Sequence, residues 1–402
     1  MQLLMTERER IERTLRGEEC DKIPWATRLD IWHTAASRSG KLPPEFVDMD
    51  LMDIHHNLGI ARQSYALASR MCLHGVDVSV EFNGEIIRQE QAPMINFPVP
   101  REYVPAEEPG DTRIQFTTPA GRAQLRFRTT DISIREAEMP YLIDHILKDK
   151  DDFRVVKWIL AHAEHVATFE GFERAETRIG DFGFTIPMVG RVPFQSILLD
   201  YMGEEQTIYA LMDTEERIDY LLAALGEHAH RSLELGLEIP SLMVEFSDNF
   251  EGMVTSPTLF QKYCIPFLQD AADKAHAKGK MLGSHMDGNM KPLVHLIPKC
   301  GVDVVESFSP APLTALTFKE AWNTWRDKVL MWGVIPSPIF EAHVSEQYFE
   351  EWIVDMFDIM AGNQRIVLGI GDQAMGPTLL SRISRVSELL GRNAKSATIT
   401  KE

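Results

Sequence analysis

The stretch SLMVEFSDNFEGMVTSPTLFQKYCIPFLQDAADKAHAKGKMLGSHM, residues 241–286, decides the fold of this chain. It opens on an apolar run (241–247) and passes through an acidic turn. Ser256 then stands where a helix needs its N-cap, with Pro257 in the first turn, where a missing N–H costs nothing. Apolar residues at three- and four-residue spacing continue as far as Gly279, which supplies the stop. A second apolar run, 280–286, follows directly. A strand, a helical crossover and a strand make a βαβ unit, and its two strands are parallel.

The same rhythm extends to both sides. Apolar runs occur at 23–29, 76–82, 185–190, 302–307, 329–334 and 365–370, besides the two already quoted. Several are nearly continuous in apolar residues, as parallel strands covered on both faces require. Helical patterns fill the gaps, including EERIDYLLAALGEHAHRSLELG (215–236) and the shorter NMKPLVHLIPKCG (289–301). Eight such strands predict a (β/α)8 TIM barrel in one domain spanning 1–402, with an open doubly wound sheet as the alternative. Residues 83–184 break the rhythm. Within them, IQFTTPAGRAQLRFR (114–128) alternates and turns at Pro-Ala-Gly, which predicts an antiparallel hairpin inserted in the barrel.

Bulk properties exclude several classes. With 60 acidic against 41 basic residues, the formal charge of −19 speaks against nucleic-acid binding, which needs a basic surface. The apolar runs fall short of the ~20 residues that span a membrane. Four cysteines without a CxxC pair form no disulfide framework, and the charged first residues do not read as a secretory signal. A soluble, cytoplasmic protein is the expectation, with no nucleic-acid or membrane partner.

Barrel chemistry gathers where strands end, because the following loops converge there. Read that way, the sequence offers Arg28, Asp30, Trp32 and His33 after the first run, Glu81 after the second and Arg191 after the third. Glu245, Asp248 and Asn249 follow the fourth, His285 and Asp287 the fifth, Glu306 the sixth, and Asp372 the last. Crowded carboxylates repel unless a cation or a proton intervenes. His285 and Asp287 lie on one side of an extended segment and together suit one metal ion; Asp372, Glu245 or Asp248 could add the third ligand. The same two residues equally serve as a hydrogen-bonded histidine and a helix cap. Trp25, Trp32 and Trp332 fit core packing as well as a substrate wall. No GxSxG elbow, HExxH pair or Walker pattern is present.

Several segments resemble the uroporphyrinogen decarboxylase superfamily, and within it the methyltransferase branch. They are TERERIERTLRGEECDKIPW (6–25), the run 192–222, the long segment 247–306, VLMWGVIPSP (329–338) and IVLGIGDQAMGPT (366–378). The decarboxylases open on an arginine-rich motif; here IPWATRLDIWHTA (23–35) keeps Arg28 but carries Asp30 and His33 where basic residues would stand. An acidic cavity repels a polycarboxylate porphyrinogen. The coenzyme M methyltransferases of the superfamily hold zinc with His-x-Cys-Gly and a later Gly-Cys. This chain reads His285-Met286-Asp287-Gly288 and Gly371-Asp372, so both cysteines become aspartates.

What the resemblance implies is therefore an oxygen-rich site, suited to an ether or phenolic oxygen rather than a thiol. It implies a methyltransferase of the corrinoid-dependent O-demethylase type, passing methyl from an aryl methyl ether to the cobalt of a corrinoid-binding partner protein. His285, Asp287 and Asp372 would hold a zinc ion (Zn2+) or a proton, with Glu245 and Asp248 as further catalytic groups. Arg28, Asp30, Trp32, His33, Glu81, Arg191, Asn249, Glu306 and Trp332 would contact the substrate. A homodimer is compatible with this reading. The alternatives are a decarboxylase or lyase of the superfamily acting on another small substrate, a quaternary-ammonium methyl donor held by Trp25 or Trp32, and a catalytically silent ligand-binding member.

Overall fold

Near-continuous apolar segments become the strands of one parallel sheet. The computed structural model describes residues 5–213, 215–360, 363 and 365–399. In chain order the strands are β1 (Ala26–Thr27), β2 (Ala61–Leu67), β3 (Gly183–Met188), β4 (Met243–Phe246), β5 (Met281–His285), β6 (Val304–Phe308), β7 (Leu330–Ile335) and β8 (Ile366–Ile370). They lie side by side in that same order. A parallel bridge between Trp25 and Leu368 brings the two end strands together, with Leu368 N–H donating to the Pro24 carbonyl at 2.9 Å. The sheet is thus nearly closed into a barrel, as a (β/α)8 fold requires. Inside it pack Ala26, Ala61, Phe184, Ile186, Met243, Val304, Leu330, Trp332 and Val367, joined by Ile11 and Leu15 from the helix Glu7–Arg16.

Contacts divide the chain into two compact units. One comprises Met1–Ala66, Glu170–Met188 and Pro240–Glu402, and contains the barrel. The other comprises Leu67–Phe169 and Val189–Ile239. It contains two antiparallel sheets, of five and three strands, and the long helix Glu215–Gly236. Its separate core is built around Phe116, Phe127, Leu125 and Ile159. The expected hairpin is present here as Gly110–Thr118 paired with Gly121–Thr129.

Three expectations need correction. The run 76–82 is no barrel strand: Asp77–Phe82 is a strand of the five-stranded antiparallel sheet, and the barrel's second strand is Ala61–Leu67. The helix expected over 256–279 starts on Ser256 as read, but is divided into Pro257–Leu259, a π segment Phe260–Cys264 and Ile265–Ala277. Pro266 has no N–H for the regular ladder, and the turn before it widens. Residues 289–301 form only the short 3₁₀ turns Lys291–Leu293 and Ile297–Lys299, each carrying a proline. Among the described residues, no helix is long and apolar enough to cross a membrane.

Candidate active site

Sheet register places the central group. His285, the last residue of β5, is the direct parallel partner of Glu306 in β6, and Glu245 in β4 is the partner of Gly283 in β5. His285 Nδ1 and Glu306 Oε2 lie 2.6 Å apart. Gly283 leaves room for the third member: a Cβ there would meet Glu245 Oε2 at 3.0 Å and Met243 Cε at 2.5 Å. Glu245, His285 and Glu306 are all buried, with one potential ligand atom from each lying within 4.8 Å of the others. That group could hold a metal ion. Both oxygens of Glu245 lack a hydrogen-bond partner, an expensive state for a buried ionised carboxylate.

The second face of the imidazole meets two of the aspartates singled out from sequence. His285 Nε2 lies 3.7 Å from Asp287 Oδ2 and 3.8 Å from Asp372 Oδ1. Asp287 accepts a hydrogen bond from Asn249 Nδ2 at 2.7 Å. Asp372, at φ +59°, is paired with Arg28, whose guanidinium lies over the Tyr65 ring 4.3 Å from its centroid. The Tyr65 hydroxyl in turn lies 3.4 Å from His285 Nδ1. Glu306 is held further by Gln63 Nε2 at 2.5 Å and by the Ser307 hydroxyl at 2.8 Å.

Electrostatics set the protonation states. Burial alone would lower the His285 pKa, but the carboxylates of Glu306 and Asp287 outweigh it and hold the imidazole well above its usual value. Burial would raise Glu306, yet the positive charges of His285 and Arg28, with the Gln63 amide, bring it down to about 2. Glu245 lies well above the usual carboxylate range, through its burial and the adjacent Glu306 charge. These directions favour an imidazolium–carboxylate pair of His285 and Glu306 beside a neutral Glu245 carboxyl.

The remaining expected residues divide. Asp248 is buried apart from this group: it accepts at 3.1 Å from the hydroxyl of Ser284, which alternates with His285 along β5, and its charge acts on the buried thiols of Cys264 and Cys300. Asp30 pairs with Arg62 at 2.6 Å, and half-buried His33 lies beside the buried Trp32, with ring centroids 6.4 Å apart. Trp332 is fully enclosed and packs on Phe184, so it fills the barrel instead of lining its mouth. Glu81, read as following a barrel strand, instead pairs with Arg113 in the antiparallel sheet. Arg191 belongs to the same unit as Glu81 and pairs with Asp200 at 3.1 Å. Gln63 and Tyr65 were missed with β2; their signal was the alternation of Ala61, Gln63 and Tyr65 in ARQSYAL, three residues on one face of a strand.

No protein-family profile matches the chain, and no curated protein matches it either. Among solved structures it is similar to a methyltransferase from Methanosarcina mazei at 13% sequence identity and a TM-score of 0.58. The likeness covers 96% of this chain and 99% of that one. At that identity, what the two proteins are shown to share is the fold.

Proposed function

We propose that this chain is a methyltransferase that moves a methyl group from an aryl methyl ether to the cobalt of a corrinoid carried by a partner protein. The observation behind the reading is the His285 imidazole, tied to Glu306 through Nδ1 while Nε2 faces Asp287 and Asp372 beyond hydrogen-bond distance. An ether is inert because its oxygen leaves poorly, so the reaction needs an acid at that oxygen. The methyl carbon takes an electron pair from reduced cobalt, the C–O bond breaks with its pair on oxygen, and that oxygen takes the proton from His285 Nε2. Glu306 keeps the imidazole charged and oriented, while Asp287 and Asp372 border the face where the ether oxygen would sit. Trp25, Trp32 and Trp332 are enclosed, and the Tyr65 ring is covered by Arg28. That leaves little aromatic surface for a quaternary-ammonium donor, and favours the ether.

A zinc ion suits the same residues, since a cation would relieve the unpartnered oxygens of Glu245 and the nitrogen–oxygen donor set is ordinary for zinc. Glu245, His285 and Glu306 would hold it as the inner set, or His285, Asp287 and Asp372 as the outer one; when bound it would polarise the ether oxygen as a Lewis acid. Metal analysis of protein purified without added zinc separates the proton and metal versions.

The deciding experiment mixes the protein, a panel of aryl methyl ethers and a reduced corrinoid protein, and follows the cobalt spectrum. Methylation of cobalt with release of a phenol is the expected result. Decarboxylation of uroporphyrinogen, with no methyl transfer from any ether, would sink the reading in favour of the superfamily's other chemistry.

A further inference from the structure

The three-stranded sheet of the second unit carries a side-chain cluster outside the candidate active site. Its middle strand, Ser69–Leu73, lies between Ala163–Ala167 and Met94–Ile95. Alternation buries Ser69, Met71 and Leu73 and leaves Arg70 and Cys72 half-buried on the outer face. Cys72 stands directly opposite Glu164 on one side and Met94 on the other. His74, in the turn that follows, reaches two of these groups. Its Nδ1 lies 3.9 Å from Cys72 Sγ, and its Nε2 lies 3.4 Å from Glu164 Oε2. Thiol, imidazole and carboxylate thus form a chain in the order that a nucleophile, its base and the group orienting that base require. A hydrogen bond donated by Nε2–H to Glu164 leaves the Nδ1 lone pair to take the thiol proton. The Ala92 carbonyl, also 3.9 Å from Sγ, can accept a hydrogen bond but cannot remove that proton.

We propose that Cys72 is a modification site whose thiol exchanges with a small disulfide carrying carboxylates, with His74 as base and Glu164 holding that base in place. The thiol proton passes to His74 Nδ1, and the Cys72 thiolate attacks one sulfur of the disulfide. A bond forms between the two sulfurs as the original S–S bond breaks. The departing sulfur keeps the electron pair and takes the proton from His74. Cys72 is thereby oxidised, and half of the small disulfide is reduced to a thiol. Arg70, two residues before Cys72 on the same face and without an ion pair among the described residues, receives a carboxylate of the incoming molecule. The exposed Met94 and Val166 side chains add apolar surface beside the thiol. The other three cysteines lack these conditions. Cys264 and Cys300 are buried, which pushes both thiols up, Cys300 to about 12, and burial also raises the half-buried Cys20 thiol. The site lies in a different unit from His285 and is independent of the methyl-transfer proposal.

The test incubates the full chain with oxidised glutathione at pH 7 and locates the mixed disulfide by peptide mass mapping. One adduct, on Cys72, is expected. H74Q should slow its formation about tenfold or more, as loss of a positioned base does, and E164Q by a smaller factor. Near pH 9.5 about nine-tenths of an ordinary thiol is ionised unaided, so there H74Q and the parent should react at the same rate. That convergence separates a lost base from a distorted surface. R70Q should slow oxidised glutathione and leave the cationic disulfide cystamine no slower. The substituted side chains lie at the surface, so each variant should keep the parent Tm. Modification that spares Cys72 overturns the proposal. So does an H74Q variant that matches the parent at pH 7 or still lags near pH 9.5, or an R70Q variant that matches it with oxidised glutathione.

Discussion

His285 is governed by what its two nitrogens touch, and the consequences can be measured. Removing the Glu306 charge by Glu306→Gln deprives the imidazolium of its closest partner. The pKa of His285 should fall, the alkaline limb of the methyl-transfer profile should move to lower pH, and the rate should drop ~10²-fold or more. The pH dependence of stability follows from the same pair. His285 has a folded pKa above its ordinary value of 6.5, so its contribution is full below that pH and is lost as pH rises through the folded value. Glu306 runs oppositely: from 4.5 to about 2, its contribution is present above pH 4.5 and is lost as pH falls towards 2. Glu245 favours its neutral form, so Glu245→Gln should match or exceed the parent in stability at pH 8, as read by urea titration. If a metal binds there, the same substitution should instead strip it and lower the Tm.

Strands differ in how openly the sequence announces them. β3 to β8 are almost wholly buried, so their residues form apolar runs that stand out. β2 did not stand out, because Gln63 serves Glu306 and Tyr65 approaches His285, and these polar duties break the run. The stretch VDVSVEF misled for the opposite reason. Its alternation marks a strand with one buried face, which belongs to an antiparallel sheet. The strand-end rule singled out His285, Glu245, Glu306, Asp287 and Asp372, which the fold brings together, because it uses position alone. It also singled out Glu81, whose strand was misassigned and lies in the antiparallel sheet. Closure of the barrel hangs on a short seam. At Gly369 in β8, a Cβ would lie 2.5 Å from the Ala26 carbonyl oxygen. Gly369→Ala should therefore cost about 1–3 kcal/mol in chemical denaturation and loosen β1 first in hydrogen exchange. Asp372 stands just past that seam with positive φ, a conformation asparagine accepts and β-branched residues resist. Asp372→Asn should keep the fold while losing the ion pair with Arg28, whereas Asp372→Val should also lower the Tm.

At the scale of the whole molecule, two compact units imply two cooperative blocks. Trp332 fills one and Phe127 the other. Calorimetry should resolve two transitions, with Trp332→Ala lowering one and Phe127→Ala the other, each by about 3–5 kcal/mol. A single transition shifted equally by both variants would merge the blocks into one. The seam also has a consequence for biosynthesis. The hydrogen bond from Ile370 N–H to the Thr27 hydroxyl joins residues 343 positions apart. A ribosome adding about 5–20 residues each second makes Thr27 wait roughly 20–70 s for that partner. Throughout that interval β1 is a nascent strand with one edge unclaimed, and chaperones that shield such edges would find their target near the beginning of this chain.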